Sequence, residues 1–204
     1  MKITPKFFSL LTLCLTVILS TGLSAKAMNE IDAAIESSLK RFTEEVQGGD
    51  SYLAGARGVL VMPRMWKAGV LIGFEFGEGA LIVDGIKVQY YKALTTSLGI
   101  QVGVGSKDLI ILFFDDTAMD NFLYSSGWEV GVDGAVALFT IGAAGASDTI
   151  TIKDPIIGFV FGQKGLLAGV SIEGTKFTKI WPDTGTEIDQ DQEEIETFNE
   201  RLTD

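Results

Sequence analysis

The chain has 204 residues, with 16 Lys or Arg against 27 Asp or Glu, which gives a formal net charge of −11 at pH 7. This acidic balance disfavours nucleic acid as a partner, because neutralising phosphates requires a basic surface. The chain has no histidine, which excludes Ser-His-Asp and Cys-His triads and imidazole-ligated zinc or iron sites. Carboxylate, lysine or tyrosine chemistry stays possible, and a carboxylate-based hydrolase acting through Asp115, Asp116 or Asp120 is the least favoured alternative. We expect a protein that is not an enzyme and that needs no cofactor and no metal.

The first 27 residues have the features of an export signal. A basic start precedes an apolar run over residues 7–19, and the Ala-Lys-Ala sequence at 25–27 fits the rule for signal cleavage. We expect cleavage after Ala27 and an exported, periplasmic protein, with an uncleaved anchor as the alternative. The remaining chain would have 13 basic and 27 acidic residues, a charge of −14, and no cysteine for a disulfide.

Residues 28–48 have the pattern of an amphipathic helix, which Gly48 and Gly49 are expected to end. The opposite, polar face is net acidic, unlike that of a basic membrane-surface helix. Two interpretations are open: the apolar stripe packs on a sheet, or it forms a face for lipid or a partner. The stripe has a spacing of three to four residues and consists of Ile31, Ile35, Leu39, Phe42 and Val46.

Most of the remaining chain predicts short β-strands joined by glycine-rich turns, including turns at 77–79 and 105–107. This even spacing favours a meander that curls into a barrel or a sandwich. The predicted fold class is α+β, a β-rich, curved antiparallel sheet with flanking N-terminal and C-terminal helices. The predicted strands are 58–62, 69–76, 79–83, 86–91, 94–104, 108–114, 128–132, 135–140, 149–152, 156–161, 166–172 and 175–180.

One pattern, Ile-Gly-Phe-x-Phe-Gly, occurs twice, at 72–77 and at 157–162. Because a strand sends alternate side chains to opposite faces, each copy has one thick apolar face. These faces either fill the core of a closed barrel or line a cavity. Their aromatic members are Phe74, Phe76, Phe159 and Phe161.

Two segments of the chain are rich in acidic residues. Three acids within 115–120 favour an N-capped helix over about 117–125, with a divalent-cation site as the alternative. Residues 183–204 hold nine acids and one base, and they predict an acidic tail with a short final helix. The chain then divides into a signal at 1–27, one domain at 28–182 and the tail at 183–204.

Five blocks occur in a fixed order along the chain: Ala-Arg-Gly-Val-Leu-Val-Met-Pro at 56–63, Lys-Ala-Gly at 67–69, the stretch 73–79, Ser-Gly-Trp-Glu-Val-Gly-Val-Asp-Gly at 126–134, and 154–165 with Glu-Gly at 173–174. Taken together and in this order, they resemble the SYLF-domain family, over roughly residues 30–181. The resemblance implies a compact β-rich domain flanked by helices whose molecular activity is lipid binding, with an apolar surface or cavity that holds an acyl chain or a membrane edge. It implies no catalytic residues. Some family members bind actin, which an exported chain would not meet.

The resemblance and the apolar pattern together predict a lipid-binding or membrane-associated module. The alternative is a structural or adaptor protein of the cell envelope that acts through protein contacts. Trp66 is the expected interfacial anchor, and Lys67 and Lys164 are expected to meet a lipid headgroup. The expected lipid-contacting residues are Ile31, Ile35, Leu39, Phe42, Trp66, Lys67 and Lys164.

Overall fold

The structure is a computed structural model, and it describes residues 28–69, 72–98, 103–142, 153–165 and 172–181. The predicted signal peptide and acidic tail lie outside the described residues. So do the strand predicted at 149–152 and most of the one predicted at 166–172.

Three helices flank the sheet: α1 (Met28–Glu45), α2 (Gly49–Gly55) and α3 (Asp116–Tyr124). α1 coincides with the predicted amphipathic helix. Asp115 caps α3 by accepting a hydrogen bond from the backbone N–H of Ala118 at 2.9 Å, which satisfies an amide that the helix itself leaves free. In the described ranges, no helix has the length and apolar character needed to cross a membrane.

The strands form one curled, eight-stranded sheet in the order β5-β8-β3-β2-β1-β4-β7-β6. Neighbouring strands are antiparallel except β6 and β7, which run parallel. The α+β class with a curved, half-barrel sheet is thus confirmed. The strands are β1 (Gly58–Gly69), β2 (Ile72–Val83), β3 (Ile86–Leu98), β4 (Gly103–Phe113), β5 (Trp128–Glu129), β6 (Ala137–Thr140), β7 (Ile156–Gly165) and β8 (Lys176–Ile180).

The central strands are longer than predicted, and the turns expected at 77–79 and 105–107 are wrong. β2 and β4 run straight through these ranges. The glycine at 79 serves a close approach instead of a turn, because a Cβ there would lie 1.9 Å from the carbonyl oxygen of Val61. β1 likewise continues past Pro63, with a register shift beside Arg64, whose φ is 47°.

Each face of the sheet has its own core. We call the face that carries α1 the helix face; the opposite face is covered by α3 and by Trp128. The core of the helix face includes Ile31, Ile35, Phe42, Val61, Ala80, Ile110, Leu112, Phe159 and Phe161. The core of the opposite face includes Leu60, Leu81, Leu109, Ile111, Phe113, Phe122, Trp128 and Phe177.

Candidate functional site

The apolar stripe of α1 is buried against the sheet. Ile31, Ile35 and Phe42 are each at most 2% exposed, and Leu39 packs partly buried on the same core. The ring centroid of Phe42 lies 5.2 Å from that of Phe159 in an edge-to-face contact. The apolar stripe of α1 therefore packs on the sheet, which is the first of the two interpretations given for this helix. The predicted lipid contacts of these four residues are corrected, because their apolar surface is already covered by the sheet.

Polar contacts hold α1 to the sheet at both ends. Near its start, Asp32 accepts a hydrogen bond from the Tyr90 hydroxyl at 2.8 Å and pairs with Nζ of Lys87 at 2.6 Å. Burial raises the pKa of Tyr90 to about 12, and the hydrogen bond to Asp32 adds to this shift. Near its end, Arg41 pairs with Asp108 of β4. α1 is thus fixed in direction across the strands.

α1 leaves one end of the helix face uncovered. Four large apolar side chains are exposed there: Trp66 (59%), Phe74 (55%), Leu94 (49%) and Val104 (63%). The strand register makes them neighbours, because Phe76 lies opposite both Trp66 and Leu94, and Ala68 lies opposite both Phe74 and Val104. We call this set of Trp66, Phe74, Phe76, Leu94 and Val104 the apolar sheet end.

A groove of about 410 Å³ lies between α1 and the apolar sheet end. It brings together side chains from α1, the β1 bulge, β4 and the end of β7. We call it the cationic groove, because it contains three cations and, among its lining residues, a single acid. Its lining residues are Arg41, Arg64, Trp66, Val104, Gly105, Ser106, Asp108, Gly162, Lys164 and Gly165.

Asp108 organises the cationic groove. One carboxylate oxygen accepts from Nε of Arg41 at 2.9 Å, and the other accepts from the backbone N–H of Arg64 at 2.8 Å. Its side chain is nearly buried, so both bonds form away from bulk water, where they are stronger. Asp108 therefore orients the Arg41 guanidinium and fixes the bulge that carries Arg64.

Two cations of the groove remain available. Within the residues that the structure describes, neither Arg64 nor Lys164 forms an ion pair, and both are exposed. A second acid, Glu45, stands at the rim and accepts a hydrogen bond from the backbone N–H of Gly162 at 3.1 Å. The three cations still exceed Asp108 and Glu45 by one charge.

Lys67 lies on the opposite face of the sheet, so its predicted contact with a lipid headgroup is corrected. It is 8% exposed, and its Nζ lies 3.4 Å from Oε1 of Glu75, its partner across β1 and β2. Nζ of Lys107 lies 2.8 Å from the other oxygen of the same carboxylate. Burial lowers the pKa of Lys107, and the charge of Glu75 opposes that shift. The three residues form a buried structural cluster.

Of the residues predicted from the sequence, Trp66 and Lys164 lie together in the cationic groove. Sequence reasoning missed Arg41 and Arg64. Arg41 belongs to the polar face of a net acidic helix, and Arg64 follows a proline between the strands predicted at 58–62 and 69–76. No sequence signal places these two beside Lys164, which lies 100 residues or more further along the chain.

A second cavity, of about 420 Å³, lies beside α3 on the other side of the molecule. Its charged lining residues are the acids Asp133 and Asp154, and its apolar wall includes Trp128. In the described ranges, no three His, Cys, Asp or Glu side chains are grouped so that they could hold a metal ion. The acids at 115–120 form the start of α3, as the helix interpretation predicted.

Residues 94–181 match the family model described as Ysc84: Las17-binding protein actin regulator, which is the SYLF domain. No curated protein matches the chain. The family is related to actin regulators, and its members act as lipid-binding or adaptor proteins and not as enzymes. The matched range runs from the end of β3 to β8, so it contains Asp108 and Lys164 but not Arg41 or Arg64. It also contains the blocks at 126–134 and 154–165 that carry the resemblance, so this range, from residue 94 to residue 181, is similar to the SYLF domain.

Proposed function

We propose that this protein is a non-enzymatic, exported lipid-binding module that docks on a membrane surface through the apolar sheet end. The observation that carries the proposal is the set of exposed side chains Trp66, Phe74, Leu94 and Val104 on one part of the sheet that none of the described helices covers. Contiguous exposed apolar surface of this kind is typical of a site for a membrane or a protein partner. The lipid-binding activity of the family favours the membrane.

The character of the surrounding residues also favours a membrane. Trp66 combines a large apolar ring with a polar N–H, which suits the boundary between acyl chains and headgroups. Arg64 and Lys164 stand beside it, and neither forms an ion pair with another residue that the structure describes. The exported chain without residues 1–27 would carry −14 and would be repelled by an anionic bilayer, so a local cationic rim would orient this end toward the lipid.

The proposed location is the periplasm, with cleavage of the signal after Ala27. The support is the basic start, short apolar run and Ala-Lys-Ala site of residues 1–27. An exported chain would meet membrane lipids but not actin. The measurement is the N-terminal sequence of protein recovered from the periplasmic fraction, which is expected to begin at Met28.

The test of membrane docking is sedimentation of the purified protein with vesicles of phosphatidylcholine and phosphatidylglycerol in a 7:3 ratio. The double variant W66S/F74S should lower the fraction bound by at least tenfold, because burying each aromatic ring contributes about 1.5–3 kcal/mol. The matched control is Y124S/I86S, which removes two large hydrophobic side chains that are even more exposed and lie on other surfaces. It should bind like the unchanged protein.

A fluorescence measurement locates the contact. In a W181F background only Trp66 and the buried Trp128 remain, so a blue shift on adding vesicles reports transfer of Trp66 into lipid. No vesicle binding by the unchanged protein would overturn the lipid proposal. Reproducible crosslinking of the apolar sheet end to one envelope protein would then establish the adaptor alternative.

A further inference from the structure

We propose that the cationic groove binds the phosphate of an anionic phospholipid while that lipid remains in its bilayer. This inference rests on the proposed function and goes beyond it, because it names the headgroup class and the side chains that recognise it. Arg64 and Lys164 are the proposed phosphate ligands, and Arg41 is a positioning residue held by Asp108.

The charges of the groove select an anion. Asp108 uses both of its oxygens on Arg41 and on the Arg64 backbone, so it does not neutralise the Arg64 side chain. Glu45 is turned toward the backbone N–H of Gly162. The guanidinium of Arg64 and the ammonium of Lys164 therefore face the groove with donors to spare, and phosphate is the oxygen-rich anion that such groups bind well.

Arg64 and Gly165, which line the groove, have left-handed backbone conformations. Arg64 has φ 47°, a left-handed conformation that non-glycine residues seldom adopt and that is retained where surrounding contacts enforce it. Gly165 has φ 89°, and a Cβ there would lie 2.4 Å from the carbonyl oxygen of Val104. Because Gly165 has no side chain, the end of β7 lies close against β4, and the preceding residue, Lys164, lines the groove.

The groove is continuous with the apolar sheet end. Trp66 and Val104 line the groove and are also two of the exposed apolar side chains beside it. A ligand that fills both surfaces has an anionic part and an apolar part a few ångströms apart, which is the chemistry of a phospholipid at the level of its phosphate. The volume of about 410 Å³ lies within the range of small-ligand sites, about 300–1,000 Å³.

The test compares vesicles of pure phosphatidylcholine with vesicles that contain 30% phosphatidylglycerol. The unchanged protein should bind the anionic vesicles more tightly. The double variant R64N/K164Q should lose about 25-fold in Kd for anionic vesicles, roughly fivefold for each charge near the surface, while its Kd for pure phosphatidylcholine stays the same. Asparagine is chosen at 64 because it tolerates the left-handed backbone.

The matched control is K40Q/K176Q, which removes two charges from exposed positions outside the groove. It alters the net charge by the same amount, so it should lower anionic binding by less than threefold if the groove is specific. Equal losses in the two double variants would reduce the effect to general electrostatics and overturn the inference. Unchanged thermal unfolding of R64N/K164Q would exclude misfolding as the cause of its loss.

A second experiment tests whether the groove binds the phosphate of a lipid or a soluble anion. Titration of the protein with glycerol phosphate and with inorganic phosphate, without vesicles, should give no binding below about 1 mM, because the apolar contacts are missing. Tight binding of either anion that R64N/K164Q abolishes would identify the groove as a soluble-anion site and overturn the lipid assignment.

The two proposals can fail separately. If the protein binds both vesicle types equally and R64N/K164Q changes neither, the headgroup inference fails and membrane docking stands. If W66S/F74S binds like the unchanged protein, docking through the apolar sheet end fails, whatever the charge variants show. If the unchanged protein binds no vesicles, both proposals fail.

Discussion

The two copies of the Ile-Gly-Phe-x-Phe-Gly pattern lie in the same sheet and point their phenylalanines to the same face, yet their surroundings are opposite. In β7, Phe159 is fully buried between Phe42 of α1, Tyr52 of α2 and Phe139 of β6. In β2, Phe74 is 55% exposed, and its register neighbours Ala68 and Thr96 are exposed too. Similar local sequences therefore carry a core in one place and an open surface in the other.

The difference comes from where α1 lies. Its anchors are Asp32 on Tyr90 and Lys87 at one end and Arg41 on Asp108 at the other, and these fix a path that covers β7 and misses the end of β2. An apolar strand face therefore becomes part of a core only where a helix packs over it. Where no described element covers the face, apolar surface remains available for a ligand.

The largest expected effect comes from truncating the two equivalent phenylalanines. Phe159→Ala should lower the free energy of unfolding by about 3–5 kcal/mol, since it opens a cavity in a packed core. Phe74→Ala should cost less than about 1 kcal/mol, because water already reaches that ring. Urea unfolding followed by the fluorescence of buried Trp128 measures both. Equal losses would show that Phe74 is covered in solution.

The buried cluster beneath the apolar sheet end provides the next test. Glu75→Gln should cost about 3–5 kcal/mol, because it leaves Lys67 and Lys107 buried without their shared carboxylate. Lys107→Met should cost little or stabilise the protein, since it leaves one lysine for one carboxylate. Thermal unfolding of the two variants at pH 7 measures the contrast. A large loss in Lys107→Met would mean that both lysines are needed.

A smaller effect on stability is expected from removing a hydrogen bond that holds α1 to the sheet. Tyr90→Phe removes the hydrogen bond to Asp32 and should cost about 1 kcal/mol. The folded state raises the pKa of Tyr90 from 10.0 to about 12, so its contribution is fully present below pH 10 and is lost as the pH rises toward 12. The stabilities of the variant and the unchanged protein should therefore converge between pH 10 and 12. A constant difference across this range would assign the effect to packing.

The two phenylalanine substitutions should affect lipid binding in the reverse order to their effects on stability. Phe159→Ala, measured below its unfolding transition, should keep its affinity for anionic vesicles, whereas Phe74→Ala should lose about fivefold or more, because only the ring at 74 lies at the surface. Vesicle sedimentation of the two variants, side by side, measures this. Loss of binding in Phe159→Ala alone would place the lipid contact under α1.

The sequence predicted the amphipathic helix, the β-rich curved sheet and the family, because hydrophobic periodicity and ordered motif blocks are local properties. Strand lengths were less accurate. Gly77, Gly79 and Gly105 lie in segments with the composition of turns, but β2 and β4 run through them. At Gly77 and Gly79 the reason is close packing against β1, because a Cβ there would lie 2.6 Å from Cγ of Met65 and 1.9 Å from the carbonyl oxygen of Val61, respectively. Of the candidate site residues, Trp66 and Lys164 fall in one groove, whereas Lys67 points to the opposite face.

Periodicity by itself determined which side chains share a face within a predicted strand: Phe74 and Phe76 together in β2, and Phe159 and Phe161 together in β7. It did not determine what covers each face, because that depends on contacts between residues far apart in the chain. Arg41 meets Asp108 across 67 positions, and the backbone of Arg64 meets the same carboxylate across 44. Only the tertiary structure, by placing α1 over β7 and away from the end of β2, decided which apolar pattern became a core and which became a surface.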